Sequence, residues 1–150
     1  MHSGKITTTL LALATIAAFP APVFAQSANE TKFAQCNRII AITNAAARDT
    51  KQFTNNGQAF NPESMLLAAN AMDSAAGRLQ NLSIADVKLK AYKSRFVQLY
   101  RQTSQAIRAF VAAFKKKDRP AAEAALARLQ QATRSEGPLV KEINNYCKRQ

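Results

Sequence analysis

The sequence predicts an all-α protein, an antiparallel up-down-up-down four-helix bundle in which one disulfide ties the first and last helices. Four segments carry apolar residues three and four positions apart, and nothing between them alternates with the period of a strand. The links between the segments are short, which favours antiparallel neighbours. The two cysteines, Cys36 and Cys147, lie near the start of the first segment and the end of the fourth.

Residues 1–25 have the layout of a secretory signal peptide. One lysine precedes an apolar run from Ile6 to Phe19, and a small residue, Ala25, precedes a polar stretch. The alternative is an uncleaved membrane anchor, but a span needs roughly 18 to 20 apolar residues, more than this run provides. We therefore predict export, with cleavage after Ala25 and a periplasmic or extracellular mature chain.

The mature chain, residues 26–150, has the size of one helical-bundle domain and is strongly basic. Its length of about 125 residues suits a single hydrophobic core. Of the 21 Lys and Arg residues only Lys5 is lost with the leader, which leaves 20 basic against nine acidic residues and a net charge of +11. Such an excess attracts anions but does not determine the fold.

Turn residues separate the first two helical segments. The first runs from about Ala28 to Thr54 and ends at the sequence NNGQAF. The second opens with Asn61 as a helix cap and Pro62 in the first turn. The predicted inner stripes are Phe33, Cys36, Ile40, Thr43 and Ala47 in the first segment, and Met65, Ala69, Met72, Ala76 and Leu79 in the second.

The third and fourth segments are longer. Ser83 and Asp86, three residues apart, resemble a capping pair before the third segment. The fourth begins at Asp118, and Gly137-Pro138 predicts a kink or a break within it. The predicted inner stripes are Leu89, Tyr92, Phe96, Leu99, Thr103, Ala106 and Phe110 in the third, and Ala122, Leu126, Leu129, Thr133, Val140, Ile143 and Cys147 in the fourth.

The cysteine positions predict a disulfide. In an antiparallel four-helix bundle the start of the first helix and the end of the fourth lie at the same end. Cys36 and Cys147 occupy those positions, each in its apolar register, and an oxidising compartment favours a bridge between them. The alternative is a pair of free, buried thiols.

The residue types argue against catalysis. The single histidine, His2, lies in the predicted leader, so the mature chain lacks the commonest general base and metal ligand. The carboxylates Glu63, Asp73, Glu123, Glu136 and Glu142 form none of the Glu-x-x-His pairs that di-iron bundles use. We therefore predict no enzyme activity, no cofactor and no metal site.

Positive charge concentrates in the third segment and in the turn that follows it. Arg101, Arg108 and Lys115 share the outermost heptad position at intervals of roughly 10 Å, about one Debye length. One interpretation is a solvated basic face, with the following lysines completing the helix end and Asp118 capping the next helix. The other is a contact surface for anionic envelope polymer or lipid head groups. The candidate anion-binding residues are Lys90, Arg101, Arg108, Lys115, Lys116 and Lys117.

A protein partner is the alternative to an anionic ligand. Four apolar residues of the third segment lie outside the strict seam: Val97, Tyr100, Ile107 and Val111. An exposed patch of them would indicate an interface, as in an accessory or stress-related envelope protein. The other interpretation is that the apolar face of a bundle helix is wider than its seam. Nucleic acid is disfavoured, because Phe96 and Phe110 face the core by register and no base-stacking surface is evident.

The chain also resembles known proteins in three stretches: NNGQAFNPESMLLAANAMDSAA, FVAAFKKKDRPAAEAALARLQQA and the final INNYC. It resembles small exported helical proteins of bacteria, particularly cyanobacteria, that carry no assigned function. The resemblance would cover most of the mature chain. It implies a bacterial exported bundle and supplies no activity and no site residues.

Overall fold

The computed structural model describes residues 30–53 and 61–148, which form four α-helices packed against one another. These are α1 (Lys32–Phe53), α2 (Pro62–Asn81), α3 (Val87–Lys115) and α4 (Arg119–Lys148). This part of the chain contains no strand, and none of its helices is long and apolar enough to cross a membrane. The predicted all-helical fold is confirmed. The predicted leader and the NNGQAF turn lie outside the described residues.

The caps of α2 and α3 are set by local side chains. Asn61 accepts a hydrogen bond of 3.0 Å from the backbone N–H three residues on, and Pro62 is the first helical residue, as predicted. Asp86 caps α3 by accepting a bond of 2.8 Å from the Leu89 N–H. The predicted capping register was therefore wrong by one turn: Ser83 lies in the link, and Asp86 is itself the cap, because its carboxylate reaches the first free N–H groups.

Helix α4 starts where the sequence predicts and continues through its proline. The Asp118 carboxylate accepts a hydrogen bond of 3.1 Å from the Ala121 N–H. Of the predicted kink or break at Gly137-Pro138, the break is wrong, because α4 is continuous to Lys148. A proline removes a single backbone donor. The turns that follow it are held by three buried side chains, those of Leu139, Ile143 and Cys147.

Helix α3 lies between α2 and α4, packs along both of them, and supplies the largest share of the core. Every residue of its predicted stripe except Phe110 is buried. Tyr100, Ile107 and Val111 are buried as well, and Val97 packs half-buried against the core. The apolar face of α3 is therefore wider than a heptad seam. Helix α1 packs along α2 and touches α3 and α4 at few residues.

The inner stripe of α1 is rotated by one residue from the prediction. Ile39, Ile42 and Ala46 are buried where Ile40, Thr43 and Ala47 were expected, and the Phe33 side chain is 51% exposed. Two adjacent isoleucines make both registers apolar, so periodicity alone does not choose between them. Cys36 belongs to both registers, and its burial was predicted correctly.

The first two thirds of α4 show the same one-residue shift. Ala125, Ala132 and Leu139 are buried, whereas Leu126 and Val140 are 40% and 37% exposed. Small alanines at the contact let α4 approach α3 closely, which leaves the larger neighbouring side chains outside. The predicted register holds only in the last turns, at Ile143 and Cys147.

Residues from α1, α4 and the α2–α3 link meet at one end of the molecule, here called the disulfide end and defined by Gln35, Cys36, Asp86, Tyr146 and Cys147. Cys36 and Cys147 form the predicted bridge, with their Cα atoms 5.9 Å apart. The Tyr146 hydroxyl donates a hydrogen bond of 2.8 Å to the Asp86 carboxylate. Burial acts to raise the pKa of Asp86, but hydrogen bonds from the Leu89 N–H and from Tyr146 lower it.

Gln35 is the polar residue at the centre of the disulfide end. Its side chain is buried, and its Oε1 accepts hydrogen bonds of 2.8 Å and 3.0 Å from the backbone N–H groups of Ala85 and Asp86. Its Nε2 donates a bond of 3.0 Å to the Glu30 carbonyl. One amide thus fixes the α2–α3 link against the start of α1.

Removal of the disulfide tests its contribution to stability. We expect C36S/C147S to lower the free energy of unfolding by about 4 kcal/mol, because the bridge closes a long loop and restricts the unfolded chain. Urea unfolding of the oxidised protein and the double variant measures the difference. Two titratable thiols in the unreduced mature protein would contradict the bridge.

Replacement of Gln35 by leucine tests the buried amide. Q35L keeps the side-chain bulk but leaves the Ala85 and Asp86 N–H groups without their acceptor, so we expect a loss of about 1–3 kcal/mol. Urea unfolding measures it. The matched control is N37L, an exposed polar residue of α1, which should change stability little. Equal stabilities for the two variants would show that the amide contributes nothing.

Candidate functional site

Three of the predicted anion-binding residues lie along the edge of α3 that faces α2. The Arg108 Nη2 donates hydrogen bonds of 2.6 Å to Asn70 and 2.8 Å to Asp73. The Lys115 Nζ lies 3.4 Å from the Glu63 carboxylate. Arg101 donates to the side chain of Gln80 in the same seam. The three residues share one edge, as predicted, but each contacts α2.

The carboxylates of α2 reduce the positive charge that this edge of α3 presents to an anion. Asp73 accepts hydrogen bonds from both Arg108 and Ser104, so its position is fixed by two groups of α3. Exposed ion pairs contribute about 0–1 kcal/mol each, and an anion arriving at this seam must compete with them. The α2–α3 seam is therefore mainly a contact between helices.

The other three predicted residues are exposed and lie at opposite ends of α3. Lys90 is near the start of α3, whereas Lys116 and Lys117 form the turn after it, about 39 Å away along the helix axis. None of the three has a side-chain partner among residues 30–53 and 61–148. The six predicted residues therefore do not form one continuous surface.

A polar cleft runs along the seam between α3 and α4. It consists of two adjoining depressions of about 270 and 590 Å³ that share Gln131 and Ser135. None of the described residues that line it is acidic. We call it the arginine–glutamine cleft, after its polar lining residues, which are Arg95, Gln102, Gln105, Arg128, Gln130, Gln131, Arg134 and Ser135.

The cleft forms where two small residues let the helices approach. Ala106 of α3 and Ala132 of α4 are buried at its floor, and long polar side chains rise on both sides. Arg128 and Arg134 are exposed and make no ion pair within the described part of the chain. Their charges are therefore available to a ligand.

Arg95 differs from the other two arginines because it is already paired. Its guanidinium donates hydrogen bonds of 2.5 Å and 3.3 Å to the two carboxylate oxygens of Glu142. The hydrogen bond from Arg95 lowers the pKa of Glu142. This pair borders the cleft and balances the charge of Arg95, so Arg128 and Arg134 carry the net positive charge of the site.

The lining of the cleft suits an anionic ligand that also carries hydroxyl groups. A guanidinium can donate two parallel hydrogen bonds to a carboxylate, sulfate or phosphate. Each glutamine amide both donates and accepts hydrogen bonds, as sugar hydroxyls require. In the part of the chain that the structure describes, no three His, Cys, Asp or Glu side chains are grouped to hold a metal ion. The cleft offers recognition groups.

Glu136, next to the cleft residue Ser135, stands apart from the other carboxylates considered above. Glu63, Asp73, Glu123 and Glu142 each form an ion pair, whereas Glu136 has none within residues 30–53 and 61–148. Its side chain is half-buried, and burial raises its pKa. Burial and the nearby Glu136 charge also raise the pKa of the Tyr100 hydroxyl.

The sequence did contain a signal for this cleft. Gln102 and Gln105 lie three apart on α3, and Arg128, Gln131 and Arg134 lie three apart on α4, so each set shares a helix face. The predicted site followed the density of cations in the third segment, so it was placed on α3 and not on this spacing. The density of cations along one helix shows how much charge it carries, but the residues of the facing helix decide whether each charge is paired.

Comparison with protein-family models, curated proteins and solved structures found no match to this chain. The resemblance to exported bacterial helical proteins therefore stays a prediction. The interpretation of the cleft depends on its own chemistry.

The substitution E136Q tests how the half-buried Glu136 carboxylate affects stability as the pH changes. The raised pKa means that the folded protein holds the Glu136 proton more tightly than the unfolded chain does. This preference stabilises the fold below the unfolded pKa of about 4.3 and is lost as the pH rises through the folded pKa. We therefore expect E136Q to melt at a higher temperature than the parent at pH 7, with a smaller difference near pH 4.

The matched control is E123Q, which removes an exposed carboxylate paired with Arg119. It should show no such pH-dependent gain in melting temperature, because its charge is solvated in both states. Lower stability of E136Q than of the parent at pH 7 would contradict the assignment of Glu136 as a destabilising buried charge.

Proposed function

We propose that this protein is an exported, non-catalytic four-helix bundle that binds an anionic envelope polymer in the arginine–glutamine cleft. The observation that carries the proposal is the composition of the cleft: three arginines and four glutamines line it, and none of the described lining residues is acidic. The strong positive charge of the chain adds long-range attraction for a polyanion.

The proposed bundle has up-down-up-down topology. Residues later in α3 contact residues earlier in α2: Arg101 contacts Gln80, and Lys115 contacts Glu63. The same order relates α3 to α4, since the two helices are joined by a turn of three residues and Arg95, 20 residues before the end of α3, pairs with Glu142 late in α4. The disulfide between the start of α1 and the end of α4 also fits this arrangement. These contacts support antiparallel packing of α3 against both α2 and α4.

An extended polymer fits the cleft better than nucleic acid or an apolar partner does. The α3 side of the cleft extends from Arg95 to Gln105, about 15 Å along the helix, and is open to solvent. None of the described residues that line it is aromatic, so it offers no ring for base stacking. The patch proposed for a protein partner has less support, because Tyr100, Ile107 and Val111 are buried in the core.

The proposal moves the binding site from the predicted α3 residues to the seam with α4. Arg108 and Lys115 are paired with α2 carboxylates. Arg128 and Arg134 face a cleft with no acidic residue among its described lining residues, so a polyanion bound there displaces only water and small ions. Because exposed charges are screened by salt, we expect the interaction to weaken as ionic strength rises.

The test is binding to heparin and to polygalacturonate, which carry sulfate and carboxylate groups respectively. We expect R128Q/R134Q to bind at least one of them about tenfold more weakly than the parent, because it loses two charge-assisted hydrogen-bond donors. Titration at low salt measures the affinity, and a salt series should show a shallower dependence for the variant.

The matched control is R48Q/R78Q, which removes two exposed arginines outside the cleft and changes the net charge equally. A site in the cleft predicts a much smaller loss for this pair. Equal losses for the two double variants would show that net charge alone drives binding, and no binding of the parent at low salt would overturn the proposal.

A further inference from the structure

An apolar depression lies at the turn between α3 and α4, at the opposite end of these helices from the disulfide. It has a volume of about 460 Å³, and nearly all of its lining surface is apolar. We call this region the α3–α4 corner and define it by its lining residues: Ala113, Phe114, Lys115, Lys117, Asp118, Arg119 and Ala122.

Phe114 gives the corner an accessible aromatic surface. Its side chain is 50% exposed, and its ring packs on that of Phe110 with the centroids 6.5 Å apart. The neighbouring alanines are small, so they leave room beside the ring. A half-exposed aromatic side chain over an apolar depression is a surface that gains free energy when it is covered.

Cations surround this apolar surface. Lys115 and Arg119 each pair with a carboxylate, whereas Lys116 and Lys117 have no side-chain partner within the described residues. The single acidic residue in the turn, Asp118, accepts a hydrogen bond from the Ala121 N–H as the cap of α4. Asp118 is opposite in charge to Lys117, so the net positive charge beside the apolar centre comes from Lys116, the neighbouring turn residue, which is not among the lining residues.

The backbone of the turn places Lys117 in an uncommon conformation. Its φ is 56°, in the left-handed region, and the next residue, Asp118, donates its N–H to the Ala113 carbonyl at 2.9 Å. Glycine is the usual residue at this position of a helix C-terminus. Helix capping therefore explains the conformation but does not require a lysine, which fixes a cation beside the apolar depression.

We propose that the α3–α4 corner docks on the surface of a membrane that contains anionic phospholipid. Phe114 enters the interface between head groups and acyl chains, and Lys116 and Lys117 contact lipid phosphates. An apolar ring such as that of Phe114 gains free energy when it is buried at that interface, and each lysine near an anionic leaflet adds attraction. A soluble polyanion would leave the apolar depression uncovered, and an apolar protein partner would leave the cationic rim unmatched.

This docking surface is separate from the arginine–glutamine cleft. Its residues lie at the end of α3, in the turn and at the start of α4, and no residue lines both sites. On α4 the nearest lining residues of the two sites, Ala122 and Ala127, are about 8 Å apart along the helix. The two sites are therefore testable with different variants and different probes. R128Q/R134Q should retain vesicle binding, so that failure of one proposal is distinguishable from failure of the other.

The test is co-sedimentation of the mature protein with vesicles of equal parts phosphatidylglycerol and phosphatidylcholine, beside vesicles of phosphatidylcholine alone. We expect binding to the anionic vesicles only. K116Q/K117Q should weaken it about 30-fold, if each lysine contributes about 1 kcal/mol. Glutamine carries the same Cβ as lysine, so the left-handed conformation of residue 117 is no more strained in the variant.

Two matched controls separate docking from charge and from general hydrophobicity. K141Q/K148Q removes two exposed lysines about 30 Å or more from the corner along α4 and should lose far less affinity. F114A should weaken binding about 5-fold to 10-fold, since it deletes a half-exposed phenyl ring. F33A, which deletes a ring that is 51% exposed on α1, should not.

Thermal unfolding of every variant establishes that it is folded before its binding is compared. Losses for the corner variants no larger than those for K141Q/K148Q and F33A would overturn the proposal. So would binding of monomeric dihexanoylphosphatidylglycerol without vesicle association, which would indicate a small-ligand pocket. Self-association that F114A abolishes, in the absence of vesicle binding, would assign the corner to a second copy of this chain and overturn it as well.

Discussion

The buried amide of Gln35 is the contact on which the rest of the disulfide end depends. It holds the Ala85 and Asp86 N–H groups, so the α2–α3 link lies against α1. Asp86 is fixed in this link, where it caps α3 and accepts a hydrogen bond from the hydroxyl of Tyr146 on α4. The residue after Tyr146 is bonded to Cys36, the neighbour of Gln35. Hydrogen bonds and one covalent bond thus form a closed ring that ties α1, α3 and α4 together.

The central position of α3 explains why net charge is a poor guide to where an anion binds. With one helix on each side, the long polar side chains at the edges of α3 meet a neighbour. On the α2 side that neighbour supplies Glu63 and Asp73, which pair with Lys115 and Arg108. On the α4 side it supplies arginines and glutamines, with Glu142 committed to Arg95. The two seams therefore differ in available charge although both contain cations.

Local chemistry could be predicted from the sequence, whereas helix rotation could not. The existence of four helices, the Asn61 cap, the start of α4 and the pairing of the cysteines follow from short-range patterns and chain order. Ile39 and Ile40 are equally apolar, yet one residue turns a helix by about 100°, so packing partners decide which is buried. The hydrogen bonds of Gln35 and the lining of the cleft likewise depend on segments that are distant in the sequence. No spacing rule indicates that Gln35 receives two N–H groups from a link 50 residues away.

The two proposed anion sites would respond differently to salt, and this follows from where the fold places them. A ligand in the cleft would be held through exposed charges, which salt screens over about 10 Å at an ionic strength near 0.1 M. The α3–α4 corner combines charge with an apolar depression, and apolar burial is not weakened by salt. If α4 stands along the membrane normal, a corner resting on a leaflet would hold Arg128 of the cleft about 14 Å above Arg119. The protein could then hold a polymer beside a membrane, and moderate salt would release the polymer first.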